Sequence, residues 1–247
     1  MIVESSFEEM MLPELDWIET PSALQIMNVI SMTHKQSAVT VLYGPLGIGK
    51  TMTAKQYLRV NEGAVMLTGF GGSSPSSITK DIQTELNRHQ MQFKSPVRLL
   101  VVDEIYRLKV KALSAVIGWG RSNSIALLLI SSDDIHKHLY ENCTSAYGKV
   151  LASADHKIRL ANSSKKDVEL IARNFGVYDE GATQFLFEVN EAGNLLGVTL
   201  YLRQAVPLWR ETGEPIDICL LRVLRHYGRP WPGEKGCDHQ GGTPLSP

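Results

Sequence analysis

Short apolar runs punctuate the first two thirds of the chain: "AVTVLY" (38–43), "GAVMLTG" (63–69), "VRLLVVDE" (97–104), "IALLLISSDD" (125–134) and the weaker "HKIRLA" (156–161). Each is short and nearly uninterrupted, the pattern of a strand covered on both faces rather than of an amphipathic helix. Helical stretches lie between them, including "KTMTAKQYL" and, after the loop "GFGGSSPSS" (69–77), "ITKDIQTELNRHQMQ". Strands alternating with helices predict an α/β fold with a parallel sheet flanked by helices.

The pattern changes at both ends. Residues 1–37 read as an acidic lead-in followed by the helix "PSALQIMNVISMTHK", with Thr20 as its cap and Pro21 in its first turn. From residue 162 onward the strand runs stop, and four helices are predicted near 163–175, 179–192, 195–212 and 216–227. Ser163 or Ser164 would cap the first, and Gly176, Gly193 and Gly213 punctuate the ends. The expected organisation is a lead-in (1–37), an α/β domain (38–161), a small helical lid (162–227) and a Pro/Gly-rich tail (228–247).

Composition narrows the class without naming a function. The chain has 247 residues, 43% of them hydrophobic and 21% charged, as in ordinary soluble domains. Its longest apolar runs are far too short to span a bilayer, and the acidic start does not read as a signal peptide. The three cysteines (Cys143, Cys219, Cys237) have no metal-ligand spacing and form no even disulfide set, so reduced thiols in the cytoplasm are expected. With a net charge of −1, any nucleic-acid contact must come from a local patch.

The candidate chemistry sits where the first strand meets a helix, in "GPLGIGKTM" (44–52). Gly44, Gly47 and Gly49 permit φ > 0 and leave no Cβ in the way of a ligand. Pro45 lies in the same loop, and the backbone N–H groups of Leu46 and Ile48 can then join the glycines in an anion nest facing the N-terminus of the helix that begins near Lys50, Thr51 and Met52. Lys50 supplies a charge for the β- and γ-phosphates and Thr51 a hydroxyl for Mg²⁺. The third strand ends in Asp103 and Glu104. Asp103 can hold the Mg²⁺ shell with Thr51, and Glu104 can orient the water that attacks a γ-phosphate. Ser131 and Ser132 close the fourth strand, and Ser132 is the favoured contact to phosphate or water. ATP and Mg²⁺ are the expected cofactors.

"GPLGIGKT", "LLVVDEIYRLK", "LLLISSDDI" and the helical C-terminal segment, in that order, resemble the AAA+ ATPases. Within them, "DEIYRLK" and the acidic lead with "ETPSALQIMNVI" are similar to the DNA-transposition regulators. The resemblance covers about residues 17–210. It implies an ATP-dependent oligomer, ring or helical filament, that winds along double-stranded DNA and directs or activates a transposase. Two departures stand out. The place where relatives carry a trans-acting arginine holds Ser153 or Ala154, with Lys149 and Arg159 as possible substitutes. The basic residue expected at the start of a lid helix is replaced by Gly197, and Arg203 follows almost two turns later. Without a trans arginine, slow hydrolysis is expected.

The resemblance also implies DNA contacts in the loop and helix after the second strand. The candidates are the hydroxyls of Ser73, Ser74, Ser76 and Ser77, the backbone of Gly71 and Gly72, and the charge of Lys80. Arg107 and Lys109, with Lys111 and Arg121, form a second patch. Trp17 and Ile18 read either as adenine contacts or as packing residues, while Trp119 and Trp209 read as packing. Trp231 in the tail reads as a disordered end or a docking peptide. Three other functions fit the motifs: a helicase loader that prefers single strands, a P-loop kinase for a small molecule, and a nucleotide-gated scaffold that does not hydrolyse.

Overall fold

All five apolar runs fold as strands: β1 (Val39–Gly44), β2 (Ala64–Thr68), β3 (Leu99–Asp103), β4 (Ala126–Ser132) and β5 (His156–Arg159). They pair in parallel in the order β2-β3-β4-β1-β5. The computed structural model describes residues 17–68, 74–142, 144–190, 194–213 and 215–227. The lead-in before Trp17, the loop at 69–73 with Gly71, Gly72 and Ser73, Cys143, Gly193, and the tail with Trp231 and Cys237 lie outside the described residues.

Alternation along the strands divides the core into two layers. Val41, Tyr43, Val102 and Leu129 face α3 (Pro75–Phe93), α4 (Val110–Ser122) and α5 (Ala146–Ala152), packing on Ile78, Ile82, Leu113, Val116 and Leu151. Leu42, Val101, Leu128 and Ile130 face α1 (Pro21–Gln36) and α2 (Lys50–Val60), packing on Ile26, Ile30, Ala54 and Tyr57. Every residue of β1, β3 and β4 is buried. At roughly 1.5–3 kcal/mol per buried aliphatic side chain, these three central strands carry much of the driving force for folding.

The helices begin where their caps dictate. The Thr20 hydroxyl accepts a hydrogen bond from the Ala23 N–H (3.2 Å), and Pro21 opens α1. Ser74 accepts from the Ser77 N–H (3.1 Å) and Pro75 opens α3, so this helix starts inside the segment expected to be a loop. The reason is local: a capping serine followed by proline is a start signal even within a Ser/Gly-rich stretch. Helix α4 and a π turn at Lys137–Glu141 are additions to the elements expected from the sequence.

The C-terminal part comprises α6 (Lys165–Asn174), α7 (Glu180–Val189), α8 (Leu195–Thr212, with Pro207 inside it) and α9 (Ile218–Tyr227). These helices share their own apolar cluster, centred on Val168, Leu186, Val198, Leu202 and Leu221. Ser164 is the cap of α6, in a capping box with Asp167. Asp167 is 1% exposed and also reaches α1. Its Oδ2 accepts from the Ser164 N–H (2.7 Å) and hydroxyl (2.6 Å), and its Oδ1 accepts from the Ser22 N–H (2.7 Å). One carboxylate thus joins the N-termini of two helices, one from each part of the molecule.

Candidate nucleotide-binding site

A cleft of about 720 Å³ opens at the C-terminal edge of the sheet, between the 44–51 loop, the end of β3 and helix α8. Strand β1 sits next to β4, with Gly44 paired to Ser132 and Tyr43 to Ser131. The loop after β1 and the polar end of β4 therefore emerge side by side.

The loop is shaped by glycines for two different reasons. Gly47 and Gly49 adopt φ of 74° and 95°, where a side chain would be strained. Gly44 is more extended (φ 158°), and its constraint is space, since a Cβ there would lie 2.8 Å from the Leu160 Cβ. At the loop's end Lys50 is 8% exposed, and its ammonium donates to the carbonyls of Gly44 (2.9 Å) and Pro45 (2.6 Å). Burial pulls the Lys50 pKa down to about 8, partly opposed by the carboxylates of Asp103 and Asp133.

The next residue reaches across to the third strand. The Thr51 hydroxyl donates to Asp103 Oδ2 at 2.6 Å. The other Asp103 oxygen accepts from the Glu104 N–H (2.8 Å), which fixes the carboxylate plane. Asp103 is 5% exposed, and Glu104, in a left-handed conformation (φ 54°, ψ 41°), lines the cleft beside it. A hydroxyl and a carboxylate oxygen at this separation match the hard-oxygen donor set of Mg²⁺, and the glycine cradle with Lys50 matches a polyphosphate. The residues present therefore fit a magnesium-bound nucleotide polyphosphate. Lys50 and the backbone of 44–51 would hold phosphate, and Thr51 and Asp103 would hold the metal. Among the described residues no cluster of three or more His, Cys, Asp or Glu side chains forms a metal cage.

Both serines of β4 line the cleft, and they differ in detail. The Ser132 hydroxyl donates to Asp134 (3.1 Å), whereas Ser131 Oγ is buried with no partner among the described residues. The sequence names both serines and favours Ser132; the pairing of Ser132 with Asp134 is what separates the two in the structure. The outer walls come from distant segments: Trp17, Ile18 and Thr20 on one side, Leu196, Thr199 and Arg203 of α8 on the other. Trp17 Nε1 is buried and unpartnered among the described residues. Helix α8 docks directly on the loop, the Leu196 N–H donating to the Gly47 carbonyl (3.1 Å). Its cap Asn194 accepts from the Gly197 N–H (3.1 Å) and sits where a Gly47 Cβ would be, 1.8 Å from Asn194 Oδ1.

The remaining candidates fall outside this cleft. Ser74, Ser76 and Lys80 are exposed at the start of α3, with Ser74 and Ser76 hydroxyls 3.0 Å apart. Arg107 and Lys109 are exposed in and after the short 3-10 turn Ile105–Arg107. Strands β2 and β3 are neighbours, with Thr68 paired to Asp103, so both segments leave the sheet at the same edge as the cleft. Lys149 is exposed on α5, and Arg159 is engaged within its own chain by Asp133 (3.0 and 2.7 Å). The guanidinium found at Ser153 is that of Arg121, which donates to the Ser153 carbonyl and pairs with Asp155 at 3.5 Å. No helix among the described residues is long and apolar enough to cross a membrane.

No protein-family model matches the chain. It is similar to the ATP-dependent target DNA activator B of Escherichia phage Mu, 21% identical over 222 residues, which span 83% of this chain and 71% of that protein. Among solved structures it resembles domain III of the replication initiation protein DnaA from Thermotoga maritima, with a TM-score of 0.56 and 17% identity over 84% of this chain and 92% of that one. It also resembles the ORC2 protein of Aeropyrum pernix, determined in ADPNP and ADP complexes, with a TM-score of 0.54 and 15% identity over 85% and 70% of the two chains. The fold is that of the AAA+ ATPases, and the resemblance to their transposition regulators carried by the sequence motifs finds its counterpart in the phage activator.

Proposed function

We propose that this chain is an ATP-dependent regulator that assembles on double-stranded DNA as a ring or filament and directs or activates a transposase, ATP hydrolysis driving disassembly. The observation that carries the nucleotide part is the 2.6 Å contact between Thr51 and Asp103. Two residues 52 positions apart meet at the phosphate end of one cleft, each with the donor chemistry a metal–triphosphate requires. The similarity to an ATP-dependent target DNA activator supports the DNA part, and the motif resemblance to the transposition regulators supports the transposase part.

Magnesium, when bound, would supply charge neutralisation at the β- and γ-phosphates. Lys50 and the loop N–H groups hold and orient the phosphates. Asp103 fixes the metal side of the site through the hydrogen bond from Thr51. Glu104 orients the attacking water, with Ser131 or Ser132 as the polar contact across the cleft. The exposed Ser74, Ser76, Lys80, Arg107 and Lys109 meet DNA phosphates, contacts that fix position without reading sequence.

Electron microscopy with a non-hydrolysable ATP analogue tests the assembly, using duplex DNA, single-stranded DNA or no DNA. Ordered rings or filaments requiring both analogue and duplex are expected. Monomers under every condition, or assembly on single strands alone, would overturn the reading.

A further inference from the structure

The helical lid is tied to the α/β part at two places along the cleft. At the phosphate loop the Leu196 N–H donates to the Gly47 carbonyl (3.1 Å). At the outer wall Asp167 Oδ1 accepts from the Ser22 N–H at 2.7 Å, 145 positions away in the chain. The residues around that amide are the wall itself. Trp17, Ile18, Thr20 and Ala23 line the cleft, and so does Ile171, one turn of α6 beyond Asp167. The Thr20 N–H donates to the Ile18 carbonyl (2.9 Å), the Thr20 hydroxyl accepts from the Ala23 N–H, and Ile18 packs on the apolar cluster of the lid. Trp17 Nε1, which can only donate, is buried without a partner among the described residues.

We infer that Asp167 is a positioning residue for the nucleobase: by clasping Ser22 it holds the Trp17–Ala23 wall against the lid and sets affinity for the base without touching the phosphates. This rests on the nucleotide reading proposed above and extends it to the far end of the cleft. With phosphate at the 44–51 loop, the base of a nucleotide reaches toward this wall, where Trp17 Nε1 can donate to a ring nitrogen or carbonyl oxygen. Ser22 is the second residue of α1, so its N–H has no acceptor inside the helix. Asp167 is 1% exposed, and the Ser164 N–H and hydroxyl hold its Oδ2, which presents Oδ1 to Ser22 in one orientation. A wall held in place before binding spares the ligand the entropy of ordering it. Losing the clasp frees this wall, while the Leu196–Gly47 bond still fixes the lid at the phosphate loop.

Calorimetric titration of the full chain with Mg²⁺ and either ATP or inorganic tripolyphosphate separates the two ends. Asp167→Ala should weaken ATP about tenfold and leave tripolyphosphate within about twofold of wild type. Ser164→Ala removes part of the same cap but keeps the Ser22 bond. It should lower the melting temperature and keep the wild-type ratio of ATP to tripolyphosphate affinity. A second measurement needs no substitution and decides the matter where Asp167→Ala does not fold. In the wild type, amide hydrogen exchange across residues 18–24 should slow on adding ATP and not on adding tripolyphosphate. Parallel loss of both ligands in Asp167→Ala, loss of neither, an equal change of ratio in Ser164→Ala, or equal protection by the two ligands would overturn the inference. If the wild type binds neither ATP nor tripolyphosphate, the proposed function itself fails, which keeps the two failures apart.

Discussion

The two ends of the cleft are built on opposite plans. At the phosphate end Lys50 and Asp103 are 8% and 5% exposed, and each is fixed by short hydrogen bonds to backbone or to Thr51. At the outer end the walls mix apolar and polar side chains and are open, with Leu46, Met52 and Leu196 exposed to 68%, 51% and 54%. The inner end is held together by its own hydrogen bonds, whereas the outer end leaves large apolar side chains exposed. Helix α8 couples the two through one backbone hydrogen bond, from Leu196 to the Gly47 carbonyl. The contrast fits the switch proposed above, in which α8 would report on the loop that holds phosphate.

The largest effect expected at the rigid end concerns water rather than binding. Glu104→Gln should retain nucleotide affinity and lose about 10²- to 10⁴-fold in phosphate release, measured in single turnover. Equal release would remove Glu104 from the chemistry. Lys50→Ala should weaken labelled-nucleotide binding by roughly 100-fold, a loss of about 2.7 kcal/mol. Its melting temperature should hold or rise, because the buried ammonium costs the ligand-free fold part of its stability. A cooperative loss of fold would show the residue to be structural.

At the lid, Asp167→Ala leaves the N–H groups of two helix starts unpartnered. A loss of about 2–4 kcal/mol in urea unfolding is expected from the capping and buried hydrogen-bond contributions together. Burial pushes the Asp167 carboxyl up, but hydrogen bonds from Ser164 and Ser22 outweigh it and hold its pKa below the ordinary value. The stability it contributes is thus complete above the unfolded carboxylate range and lost as pH falls through the lower folded value. Gly47→Ala tests the joint between the two ends. It strains a residue at φ 74° and drives a Cβ into Asn194, costing about 1–3 kcal/mol and loosening α8.

The smallest effect is a pH dependence. Burial holds the pKa of the Lys50 ammonium down to about 8, and a bound polyanion would raise that value. Binding above pH 8 therefore takes up a proton, and affinity should fall by up to about tenfold per pH unit between 8 and the raised value. Flat affinity across this range would mean that Lys50 does not face the phosphates.

This contrast also separates what was legible in the sequence from what was not. The phosphate end is a contiguous motif plus one strand terminus, so spacing alone places Gly44 to Met52 and Asp103–Glu104. The strands were legible because burial on both faces forces unbroken apolar runs, though β1 ends on Gly44 and β5 stops at Arg159. The outer walls combine Trp17 with Thr199 and Arg203, brought together only by the packing of α1 against α6 and of α6 against α8. No local pattern encodes such a meeting. The start of α3 was hidden because Ser74-Pro75 lies within a Ser/Gly-rich stretch, where loop composition masks a capping signal. The Asp167–Ser22 bond was hidden for a different reason: 145 positions separate the two residues, and only the packing of α6 on α1 brings them together.

The central claim is that the cleft's nucleotide state sets the affinity for DNA, and equilibrium binding of labelled duplex at fixed salt measures it directly. With a non-hydrolysable ATP analogue the wild type should bind at least about tenfold more tightly than with ADP or no nucleotide, and Lys50→Ala should show no such difference. Identical duplex affinity in all three states of the wild type would contradict the account.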